Sequence, residues 1–208
     1  MSTAIEILQK LKEFGRKWVR ENIIASAVTR TKPGSIAYLL CGDKPSDQSI
    51  YIKFGHFGED IAKEMIKGNP DLELLKCGVQ IIDDKKKKKD IDLIWVNKTT
   101  KMVYVREAKG NIELDTEKLP ATFTKITEDL MPFVKEKYPD FEVNVGILNW
   151  SVCSRDELTK GLSQIKKCET NGVKVDHFLD FCKLINFEWS KDDYYEYMRE
   201  LGKMIKLV

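Results

Sequence analysis

The sequence predicts an α/β fold of the α+β type, in which a mixed central β-sheet is flanked by helices. Three observations predict it. Residues 4–22 place Ile5, Leu8, Leu11, Phe14 and Trp18 at three- and four-residue steps, the apolar stripe of a helix. Residues 91–96 and 102–108 are rich in β-branched and aromatic side chains and are separated by a short polar turn at 97–101, the pattern of an antiparallel hairpin. Residues 141–150 carry a near-continuous apolar run (Val143, Val145, Ile147, Leu148), which marks a strand buried on both faces.

The remaining elements follow in chain order. The helix at 4–22 carries Lys and Arg opposite its stripe, as a packing helix does. Between residues 23 and 49 the turns Lys32-Pro33-Gly34, Gly42-Asp43 and Lys44-Pro45-Ser46 surround a short apolar strand candidate at 36–41. A helix at 58–67 sets Ile61, Ala62, Met65 and Ile66 on one side, and Gly68-Asn69-Pro70 ends it. Strands are expected at 79–82, 91–96 and 102–108. Phe123, Ile126, Leu130 and Val134 mark a helix at 120–137, and Pro139-Asp140 resets the chain before the strand at 141–150. Residues 155–167, 177–184 and 191–205 read as helices, with a turn at Asn171-Gly172.

Length and composition narrow the class. A chain of 208 residues fits one domain, 1–208, with a core at about 55–150 and helical elaborations at both ends. Hydrophobic content of 42% with 33% charged residues is that of a soluble folded protein, and no apolar run approaches the roughly 20 residues of a membrane span. Residues 1–9 lack the layout of a secretory signal, so a cytoplasmic, intracellular location is expected. Five scattered cysteines without a CxxC pair read as reduced, packed thiols rather than zinc or redox chemistry. A net charge of +2 does not announce a nucleic-acid partner, so any such case must rest on local chemistry. No GxxxxGK[ST] loop is present, and no nucleotide cofactor is expected.

Local chemistry concentrates on the hairpin. Asp92 lies on one strand, and Glu107 and Lys109 on the next, two apart and therefore on one face. The turn at Lys98-Thr99-Thr100 brings Asp92 near Glu107, so two carboxylates and an ammonium converge on an otherwise apolar strand pair. Paired carboxylates repel unless a cation sits between them, and hard oxygen donors in a chain with two histidines point to Mg²⁺. Such a metal orients water and stabilises charge on a phosphodiester. Lys109 is placed either to assist deprotonation of that water or to neutralise the developing charge. Against this stands a bland reading, a strand-edge Asp92 beside a solvated Glu107–Lys109 pair.

Asp90-Ile91-Asp92-Leu93-Ile94, followed after a short loop by Val103-Tyr104-Val105-Arg106-Glu107-Ala108-Lys109, resembles the D…ExK signature of the PD-(D/E)xK nuclease superfamily, without the proline of its name. Gly58-Glu59-Asp60-Ile61-Ala62 resembles the glutamate-bearing first helix of several members, which adds Glu59 to the candidates. The similarity covers residues 55–110 and more loosely the elements at 120–137 and 141–150. It implies a restriction-endonuclease-like core of order α-β-β-β-α-β, a Mg²⁺ held by Asp92, Glu107 and Ala108, and catalysis by Asp92, Glu107, Lys109 and Glu59. It also implies site-specific cleavage of double-stranded DNA by a homodimer, as in a small type II restriction endonuclease. The alternatives are a structure-selective repair or recombination nuclease, such as a Holliday-junction resolvase, and a nucleic-acid-binding module that has lost catalysis.

Further candidate residues have bland readings beside the functional ones. The run Lys85 through Lys89 is either a phosphate-contacting loop or a solvated one balanced by Asp83, Asp84 and Asp90. Asn111, Thr122 and Lys125 follow the motif and are candidate DNA contacts, as are Arg30 and Lys32 in the early loop. His56, three residues before Glu59, reads first as a packed or capping residue, and His177 ranks below it. Trp95, Trp150 and Tyr104 read as core rather than as base-stacking platforms.

Overall fold

The computed structural model describes residues 4–25, 29–84, 86–110, 112, 118–158 and 160–206. It is a mixed α/β structure whose residues group into two compact units, Met1–Ile61 with Ser190–Val208, and Ala62–Trp189.

The first unit is helical. Helix α1 (Ala4–Val19) runs into a π-helical turn at Arg20–Ile24, α2 is Ile36–Cys41, α3 (Asp47–Gly68) begins here, and α8 is Lys191–Lys206. The stripe predicted for α1 is its packing face: Leu11 and Trp18 are buried, and the Trp18 ring meets buried Phe57 of α3 at 5.0 Å. Trp18 Nε1 donates to Asp60 Oδ2 at 2.9 Å, and Tyr197 of α8 donates to the Leu11 carbonyl at 3.1 Å. Gly15 is required where α1 meets Tyr197, because a Cβ there would lie 2.1 Å from the phenolic oxygen.

Two expectations change in this unit. Residues 36–41 form a helix instead of a strand, because Ser35 caps it by accepting from the Tyr38 N–H at 3.1 Å and Gly42, at φ 69°, ends it. A short apolar run does not tell strand from helix, and here the cap decides. Helix α3 starts at Asp47 rather than at residue 58. Phe54 and Phe57 carry the stripe of Ile61 N-terminally, with Phe57 wholly buried and Phe54 half-buried.

The second unit is built on a five-stranded mixed sheet of order β1-β4-β5-β6-β7. Its strands are β1 (Leu72–Leu74), β4 (Leu93–Asn97), β5 (Met102–Lys109), β6 (Glu142–Asn149) and β7 (Lys174–His177), while β2 (Gly78–Ile81) and β3 (Lys88–Ile91) form a separate two-stranded ribbon. β4 and β5 form the predicted hairpin, antiparallel in the register Leu93↔Arg106 through Asn97↔Met102. Asn97 closes its turn by accepting the Thr100 N–H at 3.0 Å, and Lys101 takes the left-handed conformation at φ 53°. β6 is parallel to β5, and β7 to β6. A parallel pair needs a crossover, supplied between β5 and β6 by α4 (Leu119–Thr124), a π-helical segment at Lys125–Leu130 and α5 (Met131–Lys137).

This crossover covers one sheet face. Ile126, Leu130 and Val134 pack with Ile94, Val96, Val103, Val105, Val145 and Ile147 in one buried cluster. On the other face Trp95 stacks on Tyr104 at 5.0 Å and meets Phe181 of α7 (Phe178–Leu184) edge-on at 5.8 Å. Trp95 and Trp150 are buried and Tyr104 is half-buried.

Three further corrections concern strands and one helix. The strand predicted at 79–82 exists but belongs to the ribbon, and the sheet edge is β1. The strand predicted at 91–96 is broken at Asp92, so β3 and β4 part there. β7 begins two residues after Gly172, in a stretch for which the sequence predicts no strand. The helix predicted at 155–167 divides into a 3-10 turn at Arg155–Glu157 and α6 (Leu162–Thr170).

Candidate active site

Alternation along β5 sorts its side chains. Val103, Val105, Glu107 and Lys109 face the crossover helix, while Tyr104 and Arg106 face the other way. Asp92, at the break between β3 and β4, reaches the same neighbourhood: its Oδ2 accepts the Ala108 N–H at 2.9 Å. The break frees the Asp92 side chain from strand alternation and ties it to the backbone between Glu107 and Lys109.

Asp92, Glu107 and Lys109 are therefore brought together. Lys109 Nζ donates to Glu107 Oε1 at 3.3 Å. From the π-helical segment Lys125 donates to Glu107 Oε2, and its Nζ stands 3.9 Å from Asp92 Oδ1. All four side chains are largely buried, with Glu107 at 8% and Lys109, the most open, at 23% exposed. Counted at their ordinary charges, two carboxylates and two ammonium groups balance one another in the cluster.

The Lys125 ammonium shows that both carboxylates are aimed at one cation. A hard dication fits the same oxygens, and magnesium ordinarily takes one or two carboxylates with water completing its shell. Among the described residues no three or more His, Cys, Asp or Glu side chains group into a larger ligand set. The residues that would hold a magnesium ion, were one bound, are Asp92 and Glu107, with Ala108 between Glu107 and Lys109.

Neither the family models nor the curated proteins compared with this chain yield a match.

The other candidates fall in different places. Thr122 is buried one helical turn before Lys125. Asn111 and Lys85 lie outside the described residues. Glu59, Arg30 and Lys32 belong to the first unit, where Glu59 faces an exposed His56 across 3.7 Å, Arg30 pairs with Asp43 at 2.8 Å, and Lys32 is exposed. No helix among the described residues is long and apolar enough to cross a membrane.

Three charged contacts were missed from sequence. Lys125, a candidate DNA contact by sequence, has its ammonium on the acidic pair. The lysine run was read as solvated or phosphate-binding, whereas Lys87 and Lys89 hold the buried Asp129 carboxylate at 2.5 and 2.8 Å. Burial pushes the Asp129 pKa up, but hydrogen bonds from the two lysines outweigh it and hold the carboxyl below its ordinary range. Arg106, within the motif, is wholly buried on the opposite face: its Nε donates to Asp176 Oδ2 at 2.6 Å, and it also donates to the Asn144 carbonyl at 3.0 Å and Asn144 Oδ1 at 2.9 Å. Gly146 makes room for it, since a Cβ there would lie 2.5 Å from the Lys174 carbonyl and 3.2 Å from Arg106 Nε. The only sequence trace was a charged residue at a buried parity in an apolar strand or helix.

Proposed function

We propose that this chain is a magnesium-dependent endonuclease of the PD-(D/E)xK type, with a restriction-endonuclease-like core, that hydrolyses double-stranded DNA at a specific short sequence. The observation that carries the reading is the convergence of the Asp92 and Glu107 carboxylates on the single Lys125 ammonium, with Lys109 on Glu107's other oxygen. A solvated surface pair does not account for side chains this buried. Nor does it account for two cations supplied from two elements.

Each residue has a defined task in this reading. Asp92 and Glu107 would hold magnesium, which would supply a bound water of lowered pKa and positive charge beside the phosphodiester. Ala108 keeps Asp92 in place through its N–H. Lys109 remains at the edge of the acidic pair as its most exposed member, placed to meet a phosphate oxygen or the attacking water. Lys125 balances the charge of the two carboxylates and would be free to meet phosphate if magnesium took its place. A palindromic target fits a two-fold homodimer presenting one such site to each strand.

The test is digestion of a long duplex of known sequence with magnesium, with fragment ends mapped, alongside an immobile four-way junction. Discrete duplex fragments that vanish with EDTA and with Asp92→Asn are expected. Cutting of the junction alone moves the assignment to a resolvase, and no magnesium-dependent cutting of either substrate removes the nuclease reading.

A further inference from the structure

The candidate site continues across the sheet. Where β5, β6 and β7 end, Lys109 is in register with Asn149, and Asn149 with His177. Register partners share a face, and this is the face of Val105, Val145 and Ile147 under the crossover helix. An amine, an amide and an imidazole thus stand side by side on three adjacent parallel strands. Ligands of open α/β sheets gather outside such carboxyl ends.

Asn149 and His177 are 0% and 1% exposed, yet among the described residues neither amide atom of Asn149 makes a hydrogen bond, and the His177 ring has no partner beyond its capping-box approach to the Asp180 N–H. Buried polar groups are satisfied almost without exception, and each one left bare bears its full desolvation cost. The bare amide of Asn149, beside a His177 ring with an unfilled nitrogen, therefore marks a place suited to a polar guest. Burial holds the His177 pKa below its ordinary value, against the pull of Asp180 and Asp176 and with the push of Arg155. A neutral imidazole offers one donor and one acceptor, and so does the amide beside it, the complement of a water molecule making two to four bonds.

We propose that Asn149 and His177 hold internal water in line with Lys109 and act as positioning residues for the Glu107–Lys109 edge of the site. The catalytic part of this rests on the nuclease reading above; the water-holding part does not. The alternative is a pair of polar side chains trapped in the core at a cost to stability and without a role.

The experiment uses the full chain. In isotope-labelled protein, nuclear Overhauser contacts from the Asn149 amide and the His177 ring to long-lived water report occupancy directly. They are expected in the wild type, and their absence overturns the proposal whatever the activity. Asn149→Leu keeps the branched heavy-atom shape and removes both hydrogen-bonding atoms. It is expected to lose the water contact at His177 and to lower kcat for magnesium-dependent cleavage by about tenfold or more with KM for DNA unchanged, the size seen for supporting shells of active sites. Asn149→Ser, which keeps a hydrogen-bonding group and leaves room for a second water, is expected to restore most of that loss. Asn149→Leu that is more stable and cuts as the wild type does shows the pair to be a mere core defect. Should the wild type hold the water and cut no DNA, the nuclease reading fails while the water-holding pair stands.

Discussion

Lys125 donates a hydrogen bond to Glu107 from the helix that crosses over β5, putting an ammonium where the acidic pair has its open oxygens. In the reading proposed above, a magnesium ion held by Asp92 and Glu107 would compete with this contact, because the Lys125 ammonium already sits against both carboxylates.

Lys125→Met separates the two. Without the ammonium, two largely buried carboxylates face each other with Lys109 alone, and breaking such a pair costs about 3 kcal/mol. In EDTA the variant's Tm should fall well below that of the wild type. Magnesium stabilises in proportion to its occupancy of the folded state, and it need not displace a lysine in the variant. The magnesium-induced rise in Tm should therefore be larger in Lys125→Met than in the wild type. Equal rises would show that the lysine does not occupy the cation's place.

Asp92 does two things at once, and two substitutions divide them. Asp92→Asn removes the charge while keeping a carbonyl oxygen for the Ala108 N–H; Asp92→Ala also strands that donor, at about 1–3 kcal/mol. Both variants should abolish cleavage, with DNA affinity measured by gel shift largely unchanged. Only Asp92→Ala should lose stability in urea. Residual cutting by Asp92→Asn at wild-type rate would remove Asp92 from the metal site.

Arg106 and Asp176 tie β5 to β7 through the sheet's other face. Asp176→Ala leaves a wholly buried guanidinium without its carboxylate, which is expected to cost about 3–5 kcal/mol. Replacing both, as Arg106→Met with Asp176→Leu, should recover most of the loss, because an apolar pair of similar volume carries no desolvation penalty. Urea midpoints of the single and double variants decide it. A double variant as unstable as the single one would place the pair's value in packing.

Asp129 supplies a pH signature. Its folded pKa lies below the ordinary 3.8, since the Lys87 and Lys89 hydrogen bonds outweigh burial. The contribution is thus fully present above the unfolded value and disappears as pH falls below 3.8 and through the folded pKa. Asp129→Asn should be less stable than the wild type at pH 6, and the difference should close toward pH 2. A difference independent of pH would show that the lysines do not act on the ionised form.

Much of the site was legible because it is local. Glu107 and Lys109 share a face by strand alternation, and the five-residue turn from Asn97 to Lys101 brings the Asp92 strand back beside them in any hairpin of that length. The helix stripes at Leu11 and Trp18 and at Ile126, Leu130 and Val134 were legible for the same reason, since a period of 3.6 needs no knowledge of the partner. Residues 36–41 were misread because six apolar residues fit either period, and the Ser35 cap is a detail of backbone geometry.

What the sequence determined alone is the set of segments that bury an apolar face and the one hairpin on which acids and a lysine meet. Tertiary structure alone decided which distant charges answer them: Lys125 over Glu107, Lys87 and Lys89 over Asp129, Asp176 over Arg106, and the row from Lys109 to Asn149 and His177. The physical reason is range. Periodicity and turns act within a few residues, whereas the partner of a buried charge is whichever group the crossover and strand order carry to it, and neither the parallel register of β5, β6 and β7 nor the π-helical turn that aims Lys125 is written in any local pattern.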